Sequence, residues 1–181
     1  MTDLIAQVDR TLAGTVRKAL KQHRPLPASA VADIQRGALE HPDEQVRRWC
    51  LFLLDHYAND ASTAVFAEAL QDPSPLVRDL ALHSITCEGC KDGDLCVTDV
   101  VPHVINLVEV ESVTSLRVKG IGALLQMSSR DARAVEALER VAATDPDPLL
   151  RSCAAHALEG RWVPPAKRYE RSQRRHAKPH R

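Results

Sequence analysis

The chain reads as an all-α protein built from an array of helix pairs, and three observations predict this. Aromatic residues make up only 3% of its 181 residues, while Ala, Leu and Val are abundant. A core of small aliphatic side chains suits closely stacked helices better than a β-sandwich. Four segments share one pattern: HPDEQVR at 41–47, DPSPLVR at 72–78, ESVTSLR at 111–117 and DPDPLLR at 145–151. Each ends in an aliphatic residue and an arginine, and three open with an acid, His41 being the exception. The arginines Arg47, Arg78, Arg117 and Arg151 lie 31, 39 and 34 residues apart, a period that marks stacked helical repeats. After every mark, apolar residues recur at helical spacing.

The elements follow in order. Residues 3–21 carry Leu4, Ile5, Val8, Leu12, Val16 and Leu20 on one face, an N-terminal helix suited to cap the open end of a repeat stack. The first helices of the pairs fall near 28–40, 61–71, 97–109 and 130–143. The third is rich in β-branched residues and resembles a strand, but Val100, Val101, Val104, Ile105 and Val108 keep helical phase. The second helices start at the marks. Val46, Trp49, Cys50, Leu53 and Leu54 form one stripe, and Leu150, Cys153, Ala154, Ala157 and Leu158 repeat it. Val77, Leu80, Ala81 and Ile85 follow the same spacing, as do Leu116, Gly120, Ala123 and Leu124. The position four after the aliphatic mark is Cys50, Ala81, Gly120 or Ala154, always small, which lets neighbouring helices approach. Cys50 and Cys153 are expected in the core. Pro42, Pro73, Pro75, Pro146 and Pro148 suit turns or first helical positions. A chain of this length forms one domain with a sizeable core.

With these marks the chain resembles the HEAT-repeat family, most closely at Asp72–Arg78 and Asp145–Arg151, over roughly residues 28–160. The resemblance implies a right-handed α-solenoid of about four antiparallel helix pairs behind an N-terminal capping helix, with the second helices lining a concave face. It also implies that the acids and arginines of the marks form a structural ladder between repeats. Glu111 without a following proline and His41 without the acid depart from the pattern, so the ladder is expected to be weaker there.

The 39-residue spacing is stretched by one feature. Within 83–96 lie His83, Cys87, Cys90 and Cys96, with Gly89 and Gly93 among them. The Cys87-x2-Cys90 spacing suits two thiolates on one zinc ion, and structural zinc takes four Cys or His ligands in a tetrahedron. Cys96 is the third candidate. His83 is the fourth, one helical turn before Cys87; His103, Asp92, Asp94 or a water are alternatives. His156 occupies the same repeat position as His83, which equally suits a structural role for both. The thiols also fit a Cys87–Cys90 redox pair resolved by Cys96, an iron–sulfur cluster, or plain reduced cysteines in a loop. A zinc held here would pin the loop at about 86–97 and leave the stack to its own core.

Formal charge is zero but unevenly distributed. Residues 161–181 hold eight Lys or Arg against Glu170, a net +7; residues 1–160 hold sixteen against twenty-three acids, a net −7. The tail is too polar to add a repeat. It suits either a solvated arm, free or folded back on the acidic body, or a salt-sensitive arm for RNA or DNA phosphates. Tyr169 alone offers little base stacking. Trp162 is expected to cover the end of the last repeat. The start of the chain has no charged stretch followed by an apolar one, and no apolar run approaches the ~20 residues of a membrane span. Five cysteines, an odd number, argue against a disulfide framework. The cytoplasm is the expected location, with no membrane partner.

No nucleophile elbow, phosphate-binding glycine loop or HExxH motif is present. The expected function is a non-catalytic scaffold or adaptor with a structural zinc site, binding a protein on its concave face. One alternative is a nucleic-acid-associated protein acting through the tail. Another is a HEAT-like enzyme of the bilin-lyase or DNA-glycosylase kind, for which no functional residues can be placed.

Overall fold

The computed structural model describes residues 28–57, 62–86 and 98–162, and all the regular structure among them is helical. Eight helices follow one another: α1 Ala28–Glu40, α2 Glu44–Tyr57, α3 Ser62–Ala69, α4 Pro75–Thr86, α5 Val101–Val110, α6 Thr114–Met127, α7 Ala132–Thr144 and α8 Pro148–Leu158. The β-branched segment is helix α5, as its phase predicts. It begins four residues later than expected, at Val101. Pro102 fits the first turn of a helix but disfavours helical conformation in the residue before it, so the helix does not extend upstream. None of the described helices is long and apolar enough to cross a membrane.

The chain divides at Val100/Val101 into two compact units. In the first, α1 packs on α2 and α3 on α4, and the pairs meet as α1 on α3 and α2 on α4. The second repeats this arrangement, with α5 on α6, α7 on α8, α5 on α7 and α6 on α8. The core of the first unit is built from Ile34, Ala38, Cys50, Leu51, Leu54, Phe66, Val77 and Ala81, and that of the second from Val104, Val108, Leu116, Ile121, Leu124, Leu138, Leu150 and Ala154.

At two of the small positions predicted on the second helices, Gly120 and Cys50, the paired helices approach closely. A Cβ on Gly120 would lie 2.5 Å from Val108 Cγ2 and 3.1 Å from Leu107 Cδ2. In the first pair the roles are exchanged: Gly37 on α1 makes room for Cys50, whose Sγ would stand 3.0 Å from an added Cβ. Cys153, expected in the core, is half-buried instead.

Each mark is a turn with a fixed hydrogen-bond plan. Its first residue accepts the backbone N–H two residues on: Asp72 Oδ1 from Ser74 at 2.8 Å, Glu111 Oε1 from Val113 at 2.8 Å, and Asp145 Oδ1 from Asp147 at 2.9 Å. His41 does the same with Nδ1, 3.0 Å from the Asp43 nitrogen. The imidazole thus replaces the local role of the acid but not its charge. The third residue then caps the second helix: Asp43 accepts from Gln45, Ser74 from Leu76, and Asp147 from Leu149, satisfying donors that a helix start leaves open. Val113 has no such side-chain cap.

The arginines close the plan. Arg47, Arg78 and Arg151 each donate from Nη1 to the carbonyls of the first two residues of their own mark, at 2.7 and 3.1–3.2 Å. Arg117, whose mark lacks the proline, donates from Nε to Val108 O at 2.6 Å. Arg47 also forms a bidentate pair with Asp72 in the next mark, at 2.7 and 2.9 Å. Arg117 pairs likewise with Asp145.

Candidate functional site

The second helices turn one side to their partner helices and leave the other side outward. On α2 the buried residues are Arg47, Cys50, Leu51, Leu53, Leu54 and Asp55, a face centred near Arg47, Leu51 and Leu54. Arg47 sits at the centre of this face because its charge is paired: hydrogen bonding to Asp72 raises the guanidinium above its ordinary pKa. Of the stripe that the apolar residues alone predict, Cys50, Leu53 and Leu54 are buried and Val46 is half-buried, while Trp49 is not. Trp49, placed in the stripe by its spacing, lies on the opposite side and is 63% exposed. Phe52 stands beside it, edge-on, with ring centroids 5.8 Å apart. A buried, paired arginine was the signal for this, since counting Arg47 as part of the core face rotates Trp49 outward.

Of the predicted metal ligands, Cys87, Cys90 and Cys96 lie outside the described residues, as do Asp92 and Asp94. His83 is described. It occupies the last turn of α4, with an exposed side chain. Thr86 in the same turn donates its hydroxyl to Leu82 O at 3.0 Å, helping to satisfy the open carbonyls of the helix end. His156, at the equivalent position of α8, is half-buried. Phe52 and Gly122 hold that position on α2 and α6, so no common contact requires histidine there. His103, the alternative ligand, is half-buried on α5. No group of three or more His, Cys, Asp or Glu side chains gathers among the described residues. An exposed imidazole four residues ahead of the first cysteine has the donor chemistry and the accessibility that a zinc ligand needs.

The second unit has a different outward face. Helices α6 (TSLRVKGIGALLQM) and α8 (PLLRSCAAHAL) contain no acid. The described acids of this unit lie on α5 and α7, as Glu109, Glu136 and Glu139, or in the turns and caps, as Glu111, Asp131, Asp145, Asp147 and Glu159.

The chain leaves α8 in a defined direction. Gly160 adopts the left-handed region at φ 68°. Its N–H bonds Ala157 O at 3.1 Å, and the next N–H, of Arg161, bonds His156 O at 2.8 Å, a Schellman turn that only glycine enters without strain. Trp162 then lies over Gly122 of α6, where an added Cβ would stand 3.4 Å from its Nε1 and 3.7 Å from Cζ2. The indole therefore covers the preceding second helix, a more specific seat than the end of the last repeat.

No family model, curated protein or solved structure matches this chain.

Proposed function

We propose that the protein is a non-catalytic, protein-binding adaptor, a right-handed HEAT-like solenoid with a zinc ion holding its cysteine segment. The solenoid reading is supported by the hydrogen-bond plan shared by the four marks and by two ion pairs, Arg47–Asp72 and Arg117–Asp145, each joining successive marks within its own unit. The observation that carries the binding reading is Trp49. Among the described side chains of the second helices it is the most exposed aromatic, and Phe52 stands edge-on beside it. Exposed aromatic anchors of this kind supply most of the binding energy in protein interfaces.

In this reading Cys87, Cys90, Cys96 and His83 hold the zinc, the cysteines as thiolates and the histidine neutral. The ion supplies cross-linking only. Four protein ligands leave no open position for a substrate. Thiolates kept for a metal fit a reducing compartment such as the cytoplasm.

Two measurements test the proposal. Elemental analysis of protein purified without added metal gives about one zinc per chain if the site is tetrahedral zinc; a metal-free, fully folded protein overturns that part. Affinity capture is then compared quantitatively between the wild type, Trp49→Ala, Cys90→Ser and a chain ending at residue 166. A partner lost with the first two variants and kept by the truncated chain supports the adaptor. A partner that follows the tail instead removes Trp49 and the cysteine segment from the interface.

A further inference from the structure

We propose that the open face of α8 binds a second copy of this chain, in an antiparallel, two-fold contact centred on Ala155. The site is independent of the cysteine segment and of Trp49.

Within each unit, one second helix packs against the next, α2 on α4 and α6 on α8. The mark arginines Arg47 and Arg117 point that way, since each pairs with the acid of the following mark. Residues four, seven and eight positions after the arginine share its side of the helix. On α2 this stripe is Arg47, Leu51, Leu54 and Asp55, all buried. On α6 Ile121 and Leu124 are fully buried, and Arg117 and Leu125 are half-buried. On α8 the same stripe is Arg151, Ala155, Leu158 and Glu159. Here Leu158 is 41% exposed, Glu159 is exposed, and Arg151 and Ala155 are half-buried. Among the described residues no helix follows α8.

Arg151 is held as Arg47 is. Its Nη1 donates to the Asp145 and Pro146 carbonyls at 2.7 and 3.2 Å. Nη1 of Arg47 makes the same two bonds in its own mark, and its Nε and Nη2 then take Asp72. Among the described residues no carboxylate pairs with Arg151. Its clamp thus orients a guanidinium whose remaining edge suits a carboxylate from outside.

A copy of the same stripe supplies that carboxylate. Arg151 and Glu159 stand four residues either side of Ala155, each about 6 Å along the helix. An antiparallel copy crossing at Ala155 sets Arg151 opposite the other copy's Glu159, twice over. Ala155 stands where α2 and α6 carry Leu51 and Ile121, so the helices can meet closely at the axis. The two Leu158 side chains flank that axis and lose their exposure to water. Glu159 pairs with Arg161 in the single chain, with side chains 51% and 63% exposed. Such surface pairs are weak, so little opposes the exchange. A head-to-tail copy lacks this fit, because the first mark opens with His41 in place of an acid. A contact that uses one patch on both copies closes at a dimer.

The test is sedimentation equilibrium of the full chain in reducing buffer, between about 5 and 200 μM, where a contact of one or two helices associates. Wild type shows a monomer–dimer equilibrium, and so does a chain ending at residue 166. Leu158→Glu and Glu159→Arg change exposed side chains and enter the contact twice. Each weakens dimerisation by about tenfold or more. Arg151→Glu does the same. The deciding sample mixes Glu159→Arg with Arg151→Glu. Each variant alone sets like charges opposite one another, whereas the mixture sets two arginines against two glutamates and recovers a heterodimer. Unchanged circular dichroism in each variant excludes misfolding. Should loss of the clamp unfold Arg151→Glu, the Leu158→Glu and Glu159→Arg titrations decide alone. A monomer at every concentration overturns the proposal. So does a wild-type dimer in both Leu158→Glu and Glu159→Arg, a dimer that requires residues 167–181, or two folded charge variants that do not associate when mixed.

Discussion

Gly120 shows how one side chain sets the spacing of a helix pair. Glycine inside a helix costs about 1 kcal/mol relative to alanine, so Gly120→Ala gains that much in propensity. Against it stands a Cβ 2.5 Å from Val108 Cγ2 and 3.1 Å from Leu107 Cδ2. Val108 is buried, and a valine in a helix has one strongly preferred rotamer, so the methyl cannot swing aside. Overpacking of this kind costs about 1–3 kcal/mol and outweighs the gain where α6 cannot retreat from α5. Thermal unfolding of Gly120→Ala therefore shows a lower midpoint, by about 2–4 °C per kcal/mol of net loss. Adding Val108→Ala relieves the clash, so the double variant loses less than the two single losses combined. Strict additivity would place the strain elsewhere. The sequence marked this position as small, but the close contact with a β-branched neighbour is a matter of register between helices. No single-helix periodicity contains it.

The marks are where sequence and element meet most directly, and the Arg47–Asp72 pair is the strongest of their joints. Its side chains are 9% and 5% exposed. Asp72 also accepts the Ser74 N–H, and Arg47 also holds the His41 and Pro42 carbonyls. Removing one member leaves a buried charge without its partner, at a cost of about 3–5 kcal/mol. Asp72→Ala is therefore strongly destabilising by denaturant titration. Glu109→Ala is the control. Its 3.0 Å pair with Arg140 joins α5 and α7 with both side chains about half exposed, where such pairs contribute about 0–1 kcal/mol. Equal losses in the two variants would show that the mark pair is no more than a surface contact.

The turns at the prolines and the acid–arginine ladder were legible in the sequence, but the cap at the third residue of a mark and the arginine's hold on the mark's own carbonyls were not. The substitutions at two marks were legible as departures, but their outcomes were not. His41 keeps the turn through Nδ1. Arg117, without a mark proline, reaches Val108 O in place of the mark's own carbonyls. The outward Trp49 was missed for a related reason: a paired arginine counts as core, and hydrophobicity alone does not show the pairing.

At the scale of the whole molecule, the cysteine segment falls in the chain just before the division at Val100/Val101. Each unit has its own buried core and its own inter-mark ion pair. The sequence shows the cysteines as a group with ligand types and spacing that suit zinc, but Cys87, Cys90 and Cys96 lie outside the described residues, and no helical periodicity dictates how they would be brought together. Structural zinc can contribute on the order of 10 kcal/mol in domains that lack a core of their own. The two units here bury aliphatic side chains throughout their helices, so their helices would not depend on the proposed ion. Cys90→Ser, or chelation with excess EDTA, is therefore expected to release the metal while leaving the far-ultraviolet helical signal within a few per cent of wild type. The loss should appear instead as faster proteolysis between Thr86 and Val101. Collapse of the helical signal on metal removal would mean that the ion holds the helices themselves, and the separation of a metal-pinned segment from self-sufficient units would fail.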